Sequence, residues 1–300
     1  MQELDAGRFP GSEVRTREGV GRNAMDIKLY QPRSPLLQQY IECIYTLSRR
    51  PEEKPVTYIS FPSIYSMVCL NLKTRIELAK NNLTITSCPD NPLETILICN
   101  FDKAGRVRYE GETDEIVIYF KPLGINAFLD KDLRYYLRSP QVYFAPFADY
   151  RQRMTEIFSL ENGRERILAL EDYWLAQLKG FQHPFLHDVI DEMLNKNSSS
   201  SISGVALKNG ISRTTLNKHF DLHLCTMPSR FRKVARFRNA IKRHQKKRSH
   251  ENLTDISYGT EYFDQSHMIK DFKALTTYTP KAFFPRITNL ENGHINWVFL

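Results

Sequence analysis

Residues 200–284 carry one helical pattern twice, and a chain that repeats so short a unit must fold that unit twice. The first copy reads Ile202, Val205, Ala206, Ile211, Leu216, Phe220, Pro228, Phe231. The second reads Leu253, Ile256, Ser257, Tyr262, Met268, Phe272, Pro280, Phe283. The offset is 51 over the first four positions and 52 over the last four, so the second copy carries one extra residue in its turn. In copy one, helical spacing runs to Asn209-Gly210, a pair that tolerates the left-handed backbone of a helix stop. Ile211 is the buried turn residue, and Ser212 caps a second helix over Arg213 to Leu222 with Leu216 and Phe220 inside. Copy two predicts a helix over 253–260, a turn through Tyr262, an Asp264 cap and a helix from Gln265 to about Leu275. Each copy is a helix-turn-helix, whose second helix lies in the major groove with its first residues on base edges.

Charge supports that reading. Residues 201–286 hold 17 Lys and Arg against 6 Asp and Glu, while residues 1–200 hold 25 against 27. All the excess positive charge of a chain with net charge +8 therefore sits on the repeat, the footprint of a nucleic-acid-binding domain joined to a neutral one. Between the copies, Phe231, Val234, Ala235, Phe237 (or Arg238) and Ile241 follow a helical period, with Arg and Lys on the other faces. This predicts a long helix that joins the units and turns its basic faces toward phosphate.

The region resembles the AraC/XylS family of bacterial transcription regulators. The resemblance rests on Gly210-Ile-Ser-Arg-Thr-Thr-Leu-Asn-Lys-His-Phe220, on Tyr262-Phe-Asp-Gln-Ser-His-Met-Ile-Lys-Asp-Phe-Lys273 and on Tyr278-Thr-Pro-Lys-Ala-Phe-Phe284, about a third of the chain. Three positions depart from the family pattern, which has Gly where this chain has Cys225, Glu261 and Thr277. The outward positions of the first recognition helix are Arg213, Thr214, Asn217 and Lys218. The resemblance implies that Thr214, Asn217 and Lys218 face bases, and that Ser266, His267 and Lys270 do so in the second helix. Gln265 and Lys273 are expected on phosphate, and His267 has the alternative of orienting its turn. Asn suits adenine and Lys or Arg suits guanine. The partners implied are double-stranded DNA and RNA polymerase, in the bacterial cytoplasm at the nucleoid.

The expected fold class is α+β: an N-terminal antiparallel β barrel or sandwich with flanking helices, then an all-α domain of two helix-turn-helix units. Strand signals fall at 56–61, 64–72, 75–79, 83–86, 95–101, 107–110 and 115–120, separated by turn residues such as Asn81-Asn82 and Gly111. Residues 35–47 read as a short helix or strand leading in. Pro35-Leu-Leu-Gln-Gln-Tyr-Ile41 and Ile116-Val-Ile-Tyr-Phe-Lys-Pro-Leu-Gly-Ile-Asn-Ala-Phe128 resemble the cupin-like sensor domain of some AraC-type regulators. The expected division is a disordered tail over 1–26, a sensor or dimerisation domain over 27–194, a linker over 195–201, the DNA-binding domain over 202–286 and a tail over 287–300. Met25 is an alternative natural start.

No enzyme is expected. All eight His lie at or beyond His183, so the barrel has no imidazole for a cupin metal site. GxSxG, P-loop and GxGxxG patterns are missing from the sequence. Five scattered Cys, namely Cys43, Cys69, Cys88, Cys99 and Cys225, suit reduced thiols and leave DNA-targeted alkyl transfer as a minor alternative. A small-molecule effector, with Tyr58, Phe61, Tyr65, Tyr119 and Phe120 lining its pocket or simply filling the core, is one expectation for the barrel. The other is control by a protein partner or by expression level. Ile167, Leu170, Trp174, Leu175 and Leu178 form a stripe that either dimerises the chain or packs on its own barrel. His183, His187 and Asp191 are spaced to hold a metal, but neither a metal nor another cofactor is expected.

Overall fold

The computed structural model describes residues 14–15, 25–79, 81–100, 103–138, 141–195, 200–246, 253–260, 262–289 and 295–300. Among these, ten strands come first: β1 (Val14–Arg15), β2 (Asp26–Tyr30), β3 (Ile41–Arg49), β4 (Val56–Ser60), β5 (Ser66–Leu72), β6 (Thr74–Ala79), β7 (Asn82–Ser87), β8 (Leu93–Ile98), β9 (Gly105–Glu110) and β10 (Thr113–Phe120). Helix α1 (Leu133–Tyr136), strand β11 (Gln141–Tyr143) and helices α2 (Tyr150–Ser159), α3 (Gly163–Ala176) and α4 (Leu186–Leu194) follow. The repeat supplies α5 (Ile202–Lys208), α6 (Arg213–Leu224), α7 (Pro228–Gln245), α8 (Leu253–Tyr258), α9 (Gln265–Thr276) and α10 (Pro280–Phe283). Two strands end the chain, β12 (Thr288–Asn289) and β13 (Asn296–Phe299).

The strands form two sheets, ordered β1-β2-β3-β10-β5-β8-β11 and β12-β13-β4-β9-β7-β6. Pairing is antiparallel except between β7 and β9. The strands of the first sheet are apolar on both faces because both faces are covered. On β10, Val117 and Tyr119 meet Tyr58, Tyr109 and Ile85 of the second sheet. Ile116, Ile118 and Phe120 meet α2 and α3 through Met154, Leu170 and Trp174. The α3 stripe thus packs on its own barrel, with Trp174 fully buried. Gly124 is required by close approach, since a Cβ there would lie 2.2 Å from the Tyr40 carbonyl oxygen. The sandwich with flanking helices is the architecture the strand signals predict.

Differences lie mostly at the ends. Of residues 35–47, read as a short helix or strand, 41–47 belong to the nine-residue strand β3, which runs on to Arg49. The stretch 287–300 is no mere tail, because β13 joins the six-stranded sheet beside β4 with Trp297 opposite Ser60 and Phe299 opposite Tyr58. The expected disordered tail falls largely on residues outside those described, although Val14 and Arg15 pair with Leu29 and Lys28. Residues 196–199 of the expected linker also lie outside them.

Helix α7 runs through both units of the repeat. Phe231 packs with Val205, Leu216 and Phe220 of the first. Val234, Phe237 and Ile241 pack with Met268, Phe272 and Phe283 of the second. Pro228 opens α7 at its first turn, where a missing N–H costs nothing. Each unit also borrows from the sandwich: Leu123 enters the first core and Phe61 and Val298 the second.

Candidate DNA interface

Both recognition helices begin on a side-chain cap. The Ser212 hydroxyl accepts from the Thr215 N–H at 3.0 Å, and the Asp264 carboxylate from the His267 N–H at 2.6 Å. Each cap satisfies one of the four orphan donors of a helix start and fixes where the first turn points. Arg213, Thr214 and Lys218 of α6 are exposed and Asn217 is half-buried. Gln265, Ser266, Lys270 and Lys273 of α9 are exposed as well. Leu216, Phe220, Met268 and Phe272 are fully buried behind them.

His267 is different. It is half-buried, 3.6 Å from the carboxylate of Asp271, 3.3 Å from the Arg236 guanidinium and edge-on to Tyr262. Asp271 is itself buried and gathers Arg236 at 3.2 Å and Lys233 at 3.5 Å. This network ties α9 to α7 through His267, Asp271 and Arg236. It also corrects the basic-helix expectation at three positions. Lys233 and Arg236 serve Asp271, and Arg238 donates to the carbonyls of Pro62 at 2.7 Å and Phe61 at 2.5 Å. Desolvation there draws the Arg238 pKa down to about 10. Lys246, at the end of α7, is exposed.

Sequence reasoning passed over Phe263, which is 86% exposed just ahead of the Asp264 cap. An aromatic between a buried turn residue and a helix cap was the available signal. The two described positions where Gly was replaced keep the glycine backbone: Cys225 has φ 51° and Thr277 φ 69°. Glu261 lies outside the described residues.

Behind the interface, α6 is held against the sandwich. Asn126 Nδ2 donates to the His223 carbonyl at 2.9 Å, Asn100 to that of Leu224, and Arg134 pairs with Asp221. His183 Nε2 lies 2.9 Å from His219 Nδ1, and His223 stands one turn further along α6. Burial and the neighbouring imidazoles pull the His183 pKa down to about 4, and that of His223 down as well.

Between the sheets lies a cavity of about 40 Å³, walled in part by Tyr45, Tyr58, Tyr109, Glu115, Tyr119 and Trp297. Of the aromatics expected to line a pocket, Tyr58 and Tyr119 do so. Phe61 instead serves the second helix-turn-helix core, Phe120 the helix-facing core, and Tyr65 a separate cleft beside α4. Glu115 accepts from the Tyr109 hydroxyl at 2.6 Å and faces the Asn71 amide at 3.4 Å. Burial lifts its pKa to about 7. Burial raises the Cys69 thiol, and lifts Cys99 and Cys225 to about 12, the reverse of what a nucleophilic thiolate needs.

Two capped, exposed recognition helices on one connecting helix define a DNA-binding protein of the double helix-turn-helix class. A family model described as a helix-turn-helix domain matches residues 205–286. The match makes residues 205–286, at the C-terminal side of the sandwich, a helix-turn-helix domain. No curated protein matches it in sequence. Among solved structures, ToxT of Vibrio cholerae aligns with most of the chain. An apo form is 9% identical over 87% of this chain and 97% of that one, with a TM-score of 0.41. A form bound to an unsaturated fatty acid is 12% identical over 90% and 97%, with a TM-score of 0.39. These scores mark a loose likeness. Among the described residues, no helix is long and apolar enough to cross a membrane.

Proposed function

We propose that this chain is a regulator that reads two successive major-groove segments, with α6 and α9 as the reading helices. The observation that carries this is the pairing of two side-chain-capped, exposed helix starts with a single helix packed into both cores behind them. Helix α7 has 18 residues, about 27 Å of rigid rod, a length suited to holding two readers about 34 Å apart along one face of a duplex. Thr214, Asn217, Lys218, Ser266 and Lys270 are the base readers in this reading. Arg213, Gln265 and Lys273 grip phosphate, with Lys246 as a further phosphate contact. RNA polymerase and a second copy of the chain are the expected protein partners, and the nucleoid the site of action. Residues 27–194 sense or dimerise, 195–201 link and 202–286 bind DNA.

The test is selection of duplex DNA by the full-length protein, followed by two variants. Lys218→Ala should relax preference at one position, by about 1–3 kcal/mol of lost discrimination. Lys246→Ala should weaken binding to every sequence alike and flatten the salt dependence. Equal losses on all sequences for both variants would remove Lys218 from the readers.

For the sandwich, the inter-sheet cavity supports an effector. Its polar wall at Glu115 and its aromatic wall at Trp297 could orient a small molecule. That cavity, about 40 Å³, holds roughly three waters, whereas the cleft beside α4 that Tyr65 lines has about 530 Å³, so room for an effector lies there, and control by a protein partner is the second reading. Thermal shift of the full-length protein with a metabolite panel separates the two: a ligand that raises Tm supports the effector, and uniform failure supports the partner.

A further inference from the structure

The sequence spaced His183 with His187 and Asp191, but the fold gathers a different group. His183 stands in the segment that leads into α4, while His219 and His223 lie four residues apart on α6. Side chains at i and i+4 share one helix face, so the two imidazoles stack one turn apart, with ring planes 18° from parallel. His183 closes over both, its ring centroid 4.7 Å from that of His219 and 5.3 Å from that of His223. One ring nitrogen from each residue lies within 4.8 Å of the other two. Three ligand nitrogens around a tetrahedral ion with bonds of about 2.0–2.1 Å stand roughly 3.4 Å apart, which falls between the 2.9 Å that separates His183 Nε2 from His219 Nδ1 and the 4.8 Å outer limit of the group.

A second observation points the same way. His223 Nδ1 is buried and has no hydrogen-bond partner. A buried ring nitrogen of this kind costs free energy unless something satisfies it. All three residues are half-buried, so an ion can reach them from solvent, and Phe181 and Phe185 flank the His183 ring.

We propose that His183, His219 and His223 form a binding site for a borderline divalent transition-metal ion of the zinc, cobalt or nickel type, completed by solvent. Neutral imidazole is the preferred ligand of such ions. Without metal, the His183 ring is held by a proton: its Nδ1 faces the N–H groups of Phe185 and Leu186 at 3.4 and 3.3 Å, so Nε2 carries the hydrogen toward His219. Loading replaces that hydrogen by the ion and moves the proton to Nδ1. The two long backbone contacts are given up, and the ring turns to do so. The ion would then fasten the first recognition helix to the segment leading into α4, so metal availability would set how firmly α6 is presented to DNA.

The test uses tag-free full-length protein, stripped with chelator and titrated with Co(II) as a spectroscopic probe, then with Zn(II) in competition. The expected result is one saturable equivalent with the visible absorption of four-coordinate cobalt, bleached by zinc. His183→Gln, His219→Gln and His223→Gln should each weaken binding at least tenfold, while His187→Gln binds as the parent does. Unchanged Tm of each variant in chelator shows that the fold is intact. Absence of a saturable equivalent overturns the site, as does full affinity in any of the three ligand variants. If metal binds as expected but chelation leaves DNA affinity and preference unchanged, the link to α6 presentation falls.

Discussion

At the scale of single residues, two side chains sit where physical chemistry resists them. Thr277 closes α9 in the left-handed region, where a Cβ costs roughly 1–2 kcal/mol. The Thr276 hydroxyl accepts from the Tyr278 N–H at 3.0 Å and helps hold the turn. Because Thr277 is exposed, Thr277→Gly should gain stability, by about 1 kcal/mol after the extra freedom of the unfolded chain is subtracted. Chemical denaturation would read this as a higher midpoint at unchanged slope. Glu115 is the second case. Its folded pKa of about 7 lies above its ordinary value of 4.5, so the folded state holds the proton more tightly than the unfolded one. The stability this contributes is fully present below about pH 4.5 and is lost as pH rises through about 7, a change on the order of 3 kcal/mol. Glu115→Gln should remove that decline between pH 5 and 8, measured by denaturation at each pH. A parent whose stability is flat over that window would contradict it.

At the scale of elements, legibility followed the range of the forces. Helices α5, α6, α8 and α9 were readable because caps, stops and inner faces are encoded within a dozen residues, as Ser212, Gly210 and Asp264 show. Most strands were readable from turn residues between β-branched runs. Strand β13 was not, because its partner β4 lies more than 230 residues earlier and no local signal states the pairing. The histidine group was missed for the same reason, since only the fold brings His183 to α6. The reach of β13 is large for four residues: Trp297 stacks on Tyr58 at 4.4 Å inside the sandwich, while Val298 on the other face enters the second helix-turn-helix core. Trp297→Ala should therefore cost about 3–5 kcal/mol. Trp174, then the sole tryptophan, would report unfolding at a lower urea concentration. A loss under 1 kcal/mol would mean that β13 only lies on the sheet.

At the scale of the whole molecule, the sandwich and the DNA-binding units share side chains on both sides of their boundary. Arg238 of α7 clasps the carbonyls of Phe61 and Pro62, and Phe61 fills the core beneath α9 against Phe283 at 4.9 Å. Asn126 and Arg134 hold the far end of α6. Rotation of either reader relative to the other must break these contacts as well as bend α7. If this frame fixes the readers, the parent protein should tolerate little change in operator spacing. Two base pairs inserted between the selected elements rotate the second by about a fifth of a turn and should lower affinity at least tenfold. Arg238→Ala releases the Phe61–Pro62 loop and leaves the exposed reading residues untouched. It should bind each isolated element as the parent does, bind the native operator more weakly, and lose less on insertion. Binding to the spaced operators by both proteins, at one salt concentration because phosphate contacts dominate affinity, decides the matter. Equal tolerance of the insertion by the two would mean that α7 alone sets the distance and that the sandwich is a passenger on the DNA.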